Sequence, residues 1–95
     1  MIDYSKMDDR DINTLVDAVT GNRTMGNDYC NNPADAWPII EKNNITIIFE
    51  NGTFSCALGG VKTGQCFEIE YDHISEVDNP LRAAMVVFLM MTVVD

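Results

Sequence analysis

The chain has a single histidine, His73, which lies among acidic residues. Imidazole and carboxylate groups bind metal ions, and neighbouring carboxylates can raise the pKa of a histidine. Glu70, Asp72 and Glu76 are the partners that such chemistry would use. Because no second histidine and no closely spaced cysteine pair completes a ligand set, we interpret His73 as a surface residue and expect no metal and no cofactor.

The other chemically capable groups lack the partners they would need. Cys30 is a candidate nucleophile, but His73 is more than forty positions away, and Asn31 and Asn32 provide no general base. The glycine-rich segment 59–64 lacks the Gly-Lys-Ser/Thr order of a phosphate-binding loop and joins two predicted strands. We therefore predict that the protein is not an enzyme.

A run of acidic residues is the strongest candidate for a binding surface. Five carboxylates occur between residues 68 and 78 without a lysine or arginine, namely Glu68, Glu70, Asp72, Glu76 and Asp78. Such a run either forms a solvated face that maintains solubility or docks against a basic protein surface. The first three alternate with Phe67, Ile69 and Tyr71, which predicts that the carboxylates project together while the apolar residues enter the core.

Trp37, next to Pro38, is the second candidate for partner binding. Large aromatic side chains contribute much of the energy of both cores and interfaces. Trp37 therefore either fills the small core or anchors a partner.

Capping signals predict three helices that position these residues. The first begins after Asp8 and ends at Gly21, with apolar residues at helical spacing between them. The second starts at Asn32-Pro33, an N-cap followed by a first helical residue that needs no hydrogen bond, and should be short or kinked at Pro38.

The third helix starts with the same pair, Asn79-Pro80, and extends over residues 81–93. It is apolar on nearly every side, so it must be covered on most of its surface. It is therefore either the central helix of the core or is closed by another copy of the protein, which predicts a homodimer.

Three strands are predicted between the second and third helices. Asn51-Gly52 favours a two-residue type I′ turn between residues 45–50 and 53–58. The expected register pairs Glu50 with Thr53, Phe49 with Phe54, Ile47 with Cys56 and Ile45 with Leu58. Residues 65–71 alternate in the same way and form the third strand. The prediction is an α+β two-layer sandwich, a three-stranded antiparallel sheet on helices in the order α-α-β-β-β-α, forming one domain over residues 1–95.

Composition limits the partners and the cellular location. A net charge of −9 opposes direct binding to nucleic acid and to anionic membranes. The longest apolar run, residues 83–94, is shorter than the ~20 residues needed to cross a bilayer. Cys30, Cys56 and Cys66 are an odd number without a close pair, and no secretory signal precedes them, so reduced thiols in a cytoplasm are expected.

Two segments resemble the signatures of a known family. Residues 30–40, CNNPADAWPII, and residues 79–90, NPLRAAMVVFLM, look like those of the NinX family, small proteins of lambdoid bacteriophages and related prophages. The first seven residues are also similar to the start of the family. The resemblance implies a phage protein acting in the host cytoplasm, and it implies no established activity.

Charge and resemblance together favour a non-enzymatic interaction module that modulates a nucleic-acid-handling protein of the host or phage. The alternatives are a nucleotide-binding or small-ligand-binding protein or enzyme, with Trp37 stacking on a base, and an accessory subunit that assembles with itself.

Overall fold

The structure is a computed structural model that describes residues 3–21, 26–63, 69–76 and 79–92. Its elements are a 3-10 helix (Tyr4–Lys6), α1 (Asp9–Thr20), α2 (Pro33–Lys42), β1 (Thr46–Glu50), β2 (Thr53–Gly59), β3 (Lys62–Thr63), β4 (Ile69–Glu70), β5 (His73–Ser75) and α3 (Pro80–Thr92). Strands β1, β2 and β5 form a three-stranded antiparallel sheet, and β3 pairs with β4 separately. This confirms the predicted α+β fold and its order of elements.

The predicted caps begin and end the helices. The Asp8 carboxylate accepts from the Asp11 N–H at 2.8 Å, and Gly21 ends α1 at φ +72°. The Asn32 side chain caps α2 by accepting from the Ala34 N–H at 3.0 Å. Helix α2 runs through Pro38 for ten residues. Short polar side chains and glycine thus set the boundaries of the helices.

The predicted hairpin is present, but its register changes along the strands. Asn51 and Gly52 have φ values of +54° and +76°, as a type I′ turn requires, and Glu50 pairs with Thr53. Phe49 pairs with Phe54, and an irregularity then shifts the pairing, so that Ile48 lies opposite Cys56 and Ile47 opposite Ala57. The predicted Ile47–Cys56 and Ile45–Leu58 pairs are therefore wrong, because β2 contains one extra residue, a β-bulge.

The third strand of the sheet is β5, which follows the segment that alternation predicted. Ala57 pairs with Ser75, Leu58 with Ile74 and Gly59 with His73. Of the predicted strand 65–71, only Ile69 and Glu70 form a described strand, β4, which pairs with β3. Residues 64–68 lie outside the described residues. Alternation indicated an extended chain, but it could not indicate which strand that chain pairs with.

Helix α3 is the centre of the core. It packs against the sheet and against α1 and α2, and all residues from Ala83 to Leu89 are buried. Gly59 of β2 makes this packing close, because a Cβ atom there would lie 2.6 Å from Cγ1 of Val87. Since elements of the same chain cover α3, the helix no longer gives a reason to expect a homodimer. Self-association itself stays a prediction.

Candidate functional site

The two sequence motifs meet at one junction, formed by Asp9, Cys30, Asn31, Asn79 and Arg82. Nδ2 of Asn79 donates to the Cys30 carbonyl at 2.6 Å and to Oδ1 of Asn31 at 3.1 Å. Oδ1 of Asn79 accepts from the Leu81 N–H at 2.9 Å and thereby caps α3. One amide side chain therefore starts α3 and fastens the loop before α2 to it.

Arg82 connects α3 to the N-terminal part of the chain. Its guanidinium donates to Oδ1 of Asp9 at 2.8 Å, to the Tyr4 carbonyl at 3.2 Å and to the Met7 carbonyl. The Arg82 side chain is only 14% exposed. The hydrogen bond from Arg82 to Asp9, followed by that from Asn31, holds the pKa of Asp9 below its ordinary value. The charge of Arg82 is therefore paired with that of Asp9 inside the junction.

The Cys30 thiol is buried within this junction and is unsuited to nucleophilic chemistry. Its side chain is completely inaccessible to solvent. Sγ lies 3.8 Å from the Asp9 carbonyl, and burial, with the nearby Asp9 charge, raises the pKa of Cys30 to about 12. Because the thiolate is the reactive form, a buried thiol of this kind acts as a small core residue.

An acidic depression of about 650 Å³ lies beside α1, with Asp9, Asp17 and Asp28 in its lining. The chain supplies hydrogen-bond donors to these carboxylates. Asp28 accepts from Nδ2 of Asn13 at 2.9 Å and from Asn31, and Asp17 accepts from the Tyr29 hydroxyl at 2.5 Å. No group of three or more His, Cys, Asp or Glu residues that could hold a metal ion occurs in the described part of the chain. The carboxylates of Asp17 and Asp28 in this depression thus accept hydrogen bonds from side chains of the same chain.

We name as the acidic patch four residues that are close together in the chain, Glu70, Tyr71, Asp72 and Glu76; three of them are predicted binding residues. All four are exposed, and Glu70 ends β4 opposite Lys62 of β3. The N–H of Asp72 donates to the Gly59 carbonyl at 2.9 Å, where the chain turns from β4 into β5. Within the described residues, no hydrogen bond or ion pair engages the three carboxylates. Glu68 and Asp78 lie outside the described residues.

Tyr71 is the main departure from the predicted arrangement of this surface. Alternation placed its ring in the core, but the side chain is 48% exposed between two carboxylates. The reason is that the chain bends at Asp72, so β4 and β5 belong to different sheets and do not form one regular strand. The acidic patch therefore contains an exposed aromatic ring. His73 follows in β5 and is half-buried opposite Gly59.

Trp37 belongs to helix α2, which packs against α3. It is 56% exposed, so it does not fill the core. The neighbouring Pro38 and Ile39 line a groove of about 380 Å³ between α2 and the end of α1, together with Tyr29. The interpretation of Trp37 as the plug of the core is therefore wrong, and its role as a partner anchor stays a prediction.

Sequence reasoning missed the roles of Asp9, Asn79 and Arg82 in the junction. The sequence pattern assigns no role to Asp9 and predicts Asn79 only as the start of the third helix. A signal was present, since Arg82 is the only charged residue in the otherwise apolar α3. A charge in a buried helix needs a partner, although the sequence does not say which one.

Comparison with known proteins identifies the family of the chain. The family described as Bacteriophage P22, NinX matches residues 5–92. No curated protein and no solved structure matches the chain. In the described part of the chain, no helix is long and apolar enough to cross a membrane. Because the family match includes both motifs, the three helices and the sheet, the chain belongs to the NinX family of bacteriophage P22.

Proposed function

We propose that this NinX protein is a non-enzymatic interaction module of the host cytoplasm that binds a basic surface on a host or phage protein that handles nucleic acids. The observation that carries the proposal is the acidic patch, where Tyr71, which lies between Glu70 and Asp72 in the chain, is 48% exposed. Exposed tyrosines are frequent energetic centres of interfaces, and surrounding charges select a partner of opposite sign. Lysine- and arginine-rich surfaces are typical of proteins that contact phosphate backbones.

The distribution of charge supports the same kind of partner. The chain carries 15 acidic and 6 basic residues, and one of the basic residues, Arg82, is bonded inside the fold. In contrast, the carboxylates of the acidic patch face solvent. A negative field of this kind repels nucleic acid and accelerates encounter with a basic protein.

The partner is to be found by affinity capture on the purified protein from host lysate and from phage-infected lysate, followed by identification of the bound proteins. Association rates are then measured with the purified partner at several salt concentrations. We expect the rate to fall as salt rises, because the Debye length is about 8 Å at physiological ionic strength. Naked duplex DNA serves as the negative control and should not bind.

A matched pair of triple variants tests the location of the site. In Glu70→Gln/Asp72→Asn/Glu76→Gln, association should slow by roughly tenfold at low salt. In the control Asp11→Asn/Glu41→Gln/Glu50→Gln, the same number of exposed carboxylates is removed from α1, α2 and β1, and the change should be much smaller. Equal slowing in both variants would show that net charge acts without a defined patch.

A variant that associates faster is a stronger test than one that associates more slowly, because a slower association rate can have many causes. Lys62 lies opposite Glu70 and weakens the local negative field, so Lys62→Gln should accelerate association. Lys42→Gln, at an exposed site on α2, makes the same change in net charge away from the patch. The proposal requires the first variant to bind faster than the second.

Substitutions at Tyr71 and Trp37 test which of two surfaces contacts the partner. If the patch is the contact, Tyr71→Ala should increase the dissociation rate at least tenfold, while Trp37→Ala leaves it nearly unchanged. The opposite result would move the contact to α2 and refute the role of the patch.

A further inference from the structure

Strand β1 is an edge of the three-stranded sheet. The strand order is β1-β2-β5, and among the described residues no strand pairs with the outer side of β1. Glu50 pairs with Thr53 across the two-residue turn, so Glu50 and Ile48 direct their backbone groups towards β2. The N–H and C=O groups of Ile47 and Phe49 therefore point away from the sheet and can accept another strand.

This edge lacks the features that usually prevent strand pairing. Residues 43–49 contain no charged residue and no proline, and the β-bulge lies in β2, which leaves β1 regular. Phe49 is 59% exposed and contacts Phe54 edge-on, with ring centroids 6.0 Å apart. An open, regular and apolar edge of this kind is a template for another strand.

We infer that β1 pairs with β1 of a second copy, in antiparallel orientation about a two-fold axis at Ile48, to form a continuous six-stranded sheet. Ile47 then lies opposite Phe49 of the second copy, and each such pair exchanges two backbone hydrogen bonds. The same pairing sets the exposed Phe49 ring beside the other copy's Ile47. On the opposite face, Ile48 lies directly against Ile48 of the second copy.

The charge pattern favours a second copy as the occupant. Two chains that each carry a net charge of −9 repel, so they can approach only where charge is absent, as in residues 43–49. The register also separates the only carboxylates in the paired strands, because Glu50 lies opposite Thr46 and not opposite Glu50 of the other copy. A basic partner would instead seek exposed carboxylates. This inference is independent of the proposed function.

Charge-swap variants at Ile48 test the two-fold axis. Sedimentation equilibrium of the unaltered protein should give twice the chain mass of 10.6 kDa as concentration rises into the range of tens to hundreds of micromolar, as expected for a small interface. Ile48→Lys and Ile48→Glu should each remain monomeric, because like charges then face each other. An equimolar mixture of the two should recover the doubled mass, since opposite charges meet only if residue 48 faces itself.

Two further measurements keep the test decisive. Trp37→Lys adds the same charge at an exposed aromatic residue on α2 and should dimerise normally. Hydrogen exchange in the unaltered protein, which needs no variant to fold, should show protection of the Ile47 and Phe49 amides that increases with protein concentration. A monomeric mass up to about 1 mM, a dimer unaffected by Ile48→Lys, or a mixture that fails to dimerise would each overturn the inference.

Discussion

Acidic side chains serve different purposes at the junction and in the acidic patch. At the junction, Asp9 accepts from Arg82 and Asn31, and its pKa is lowered by these bonds. In the patch, Asp72 lies on a bend of the chain, and its carboxylate has no hydrogen-bond or ion-pair partner among the described residues. A carboxylate that the fold satisfies contributes to stability, whereas one that the fold leaves in water is available to a partner.

The two regions also differ in what a substitution should change. Junction variants should alter the free energy of unfolding with little effect on association, and patch variants should do the reverse.

Arg82→Met should cause the largest loss of stability. It keeps much of the apolar stem of the side chain but leaves the Tyr4 and Met7 carbonyls and the Asp9 carboxylate without their donor. We expect a loss of about 3 kcal/mol in urea unfolding. The control Arg10→Met removes an exposed arginine from α1 and should change stability by less than about 0.5 kcal/mol. A cost equal to that of the control would mean that the junction is not a stabilising site.

Asn79→Ala should cost about 2 kcal/mol, because it removes the α3 cap together with the bonds to Cys30 and Asn31. Asn32→Ala is the matched comparison. Asn32 caps α2 by accepting from the Ala34 N–H, so this substitution removes only a helix cap. The difference between the two unfolding free energies measures what the tertiary bonds of Asn79 add. Equal losses of unfolding free energy in the two variants would show that Asn79 acts only as a helix cap.

The contribution of Asp9 to the free energy of unfolding should depend on pH. Because its folded-state pKa is lowered from 3.8, its stabilisation is complete above that value and is lost as the pH falls through the folded-state pKa. Asp9→Asn should therefore cost more at pH 6 than at pH 2, by no more than about 1 kcal/mol, since this side chain is 43% exposed and screened by solvent. A cost that is constant across this range would contradict the assignment.

Neutralising the acidic patch should have the smallest effect on stability. Glu70→Gln/Asp72→Asn/Glu76→Gln lowers the magnitude of the net charge from −9 to −6 by removing three negative charges. Because none of these carboxylates is bonded to a described residue, we expect the unfolding free energy to change by less than about 0.5 kcal/mol. A loss above about 1 kcal/mol would show that the patch belongs to the folding machinery, as the junction does.

Prediction from sequence succeeded where a few neighbouring residues decide the conformation. The Asp8 cap, the Gly21 stop and the Asn51-Gly52 turn depend on local hydrogen bonds or on positive φ angles. It failed for Tyr71, because alternation reports the period of a strand but not whether the chain continues or bends into another sheet. The bulge in β2 was not predicted for a related reason. The residues of the hairpin fix its turn, but the pairing farther along the strands depends on how their side chains pack against the core.

The sequence by itself determined the helices, the hairpin, the acidic character and the family motifs, because each is set by residue types close together in the chain. Only the tertiary structure decided that Arg82 is bonded to Asp9, that Trp37 and Tyr71 are exposed, and that β1 is an edge strand among the described residues. These properties depend on contacts between residues far apart in the chain. Such contacts are fixed only when the core packs around α3 and determines which polar groups remain in water.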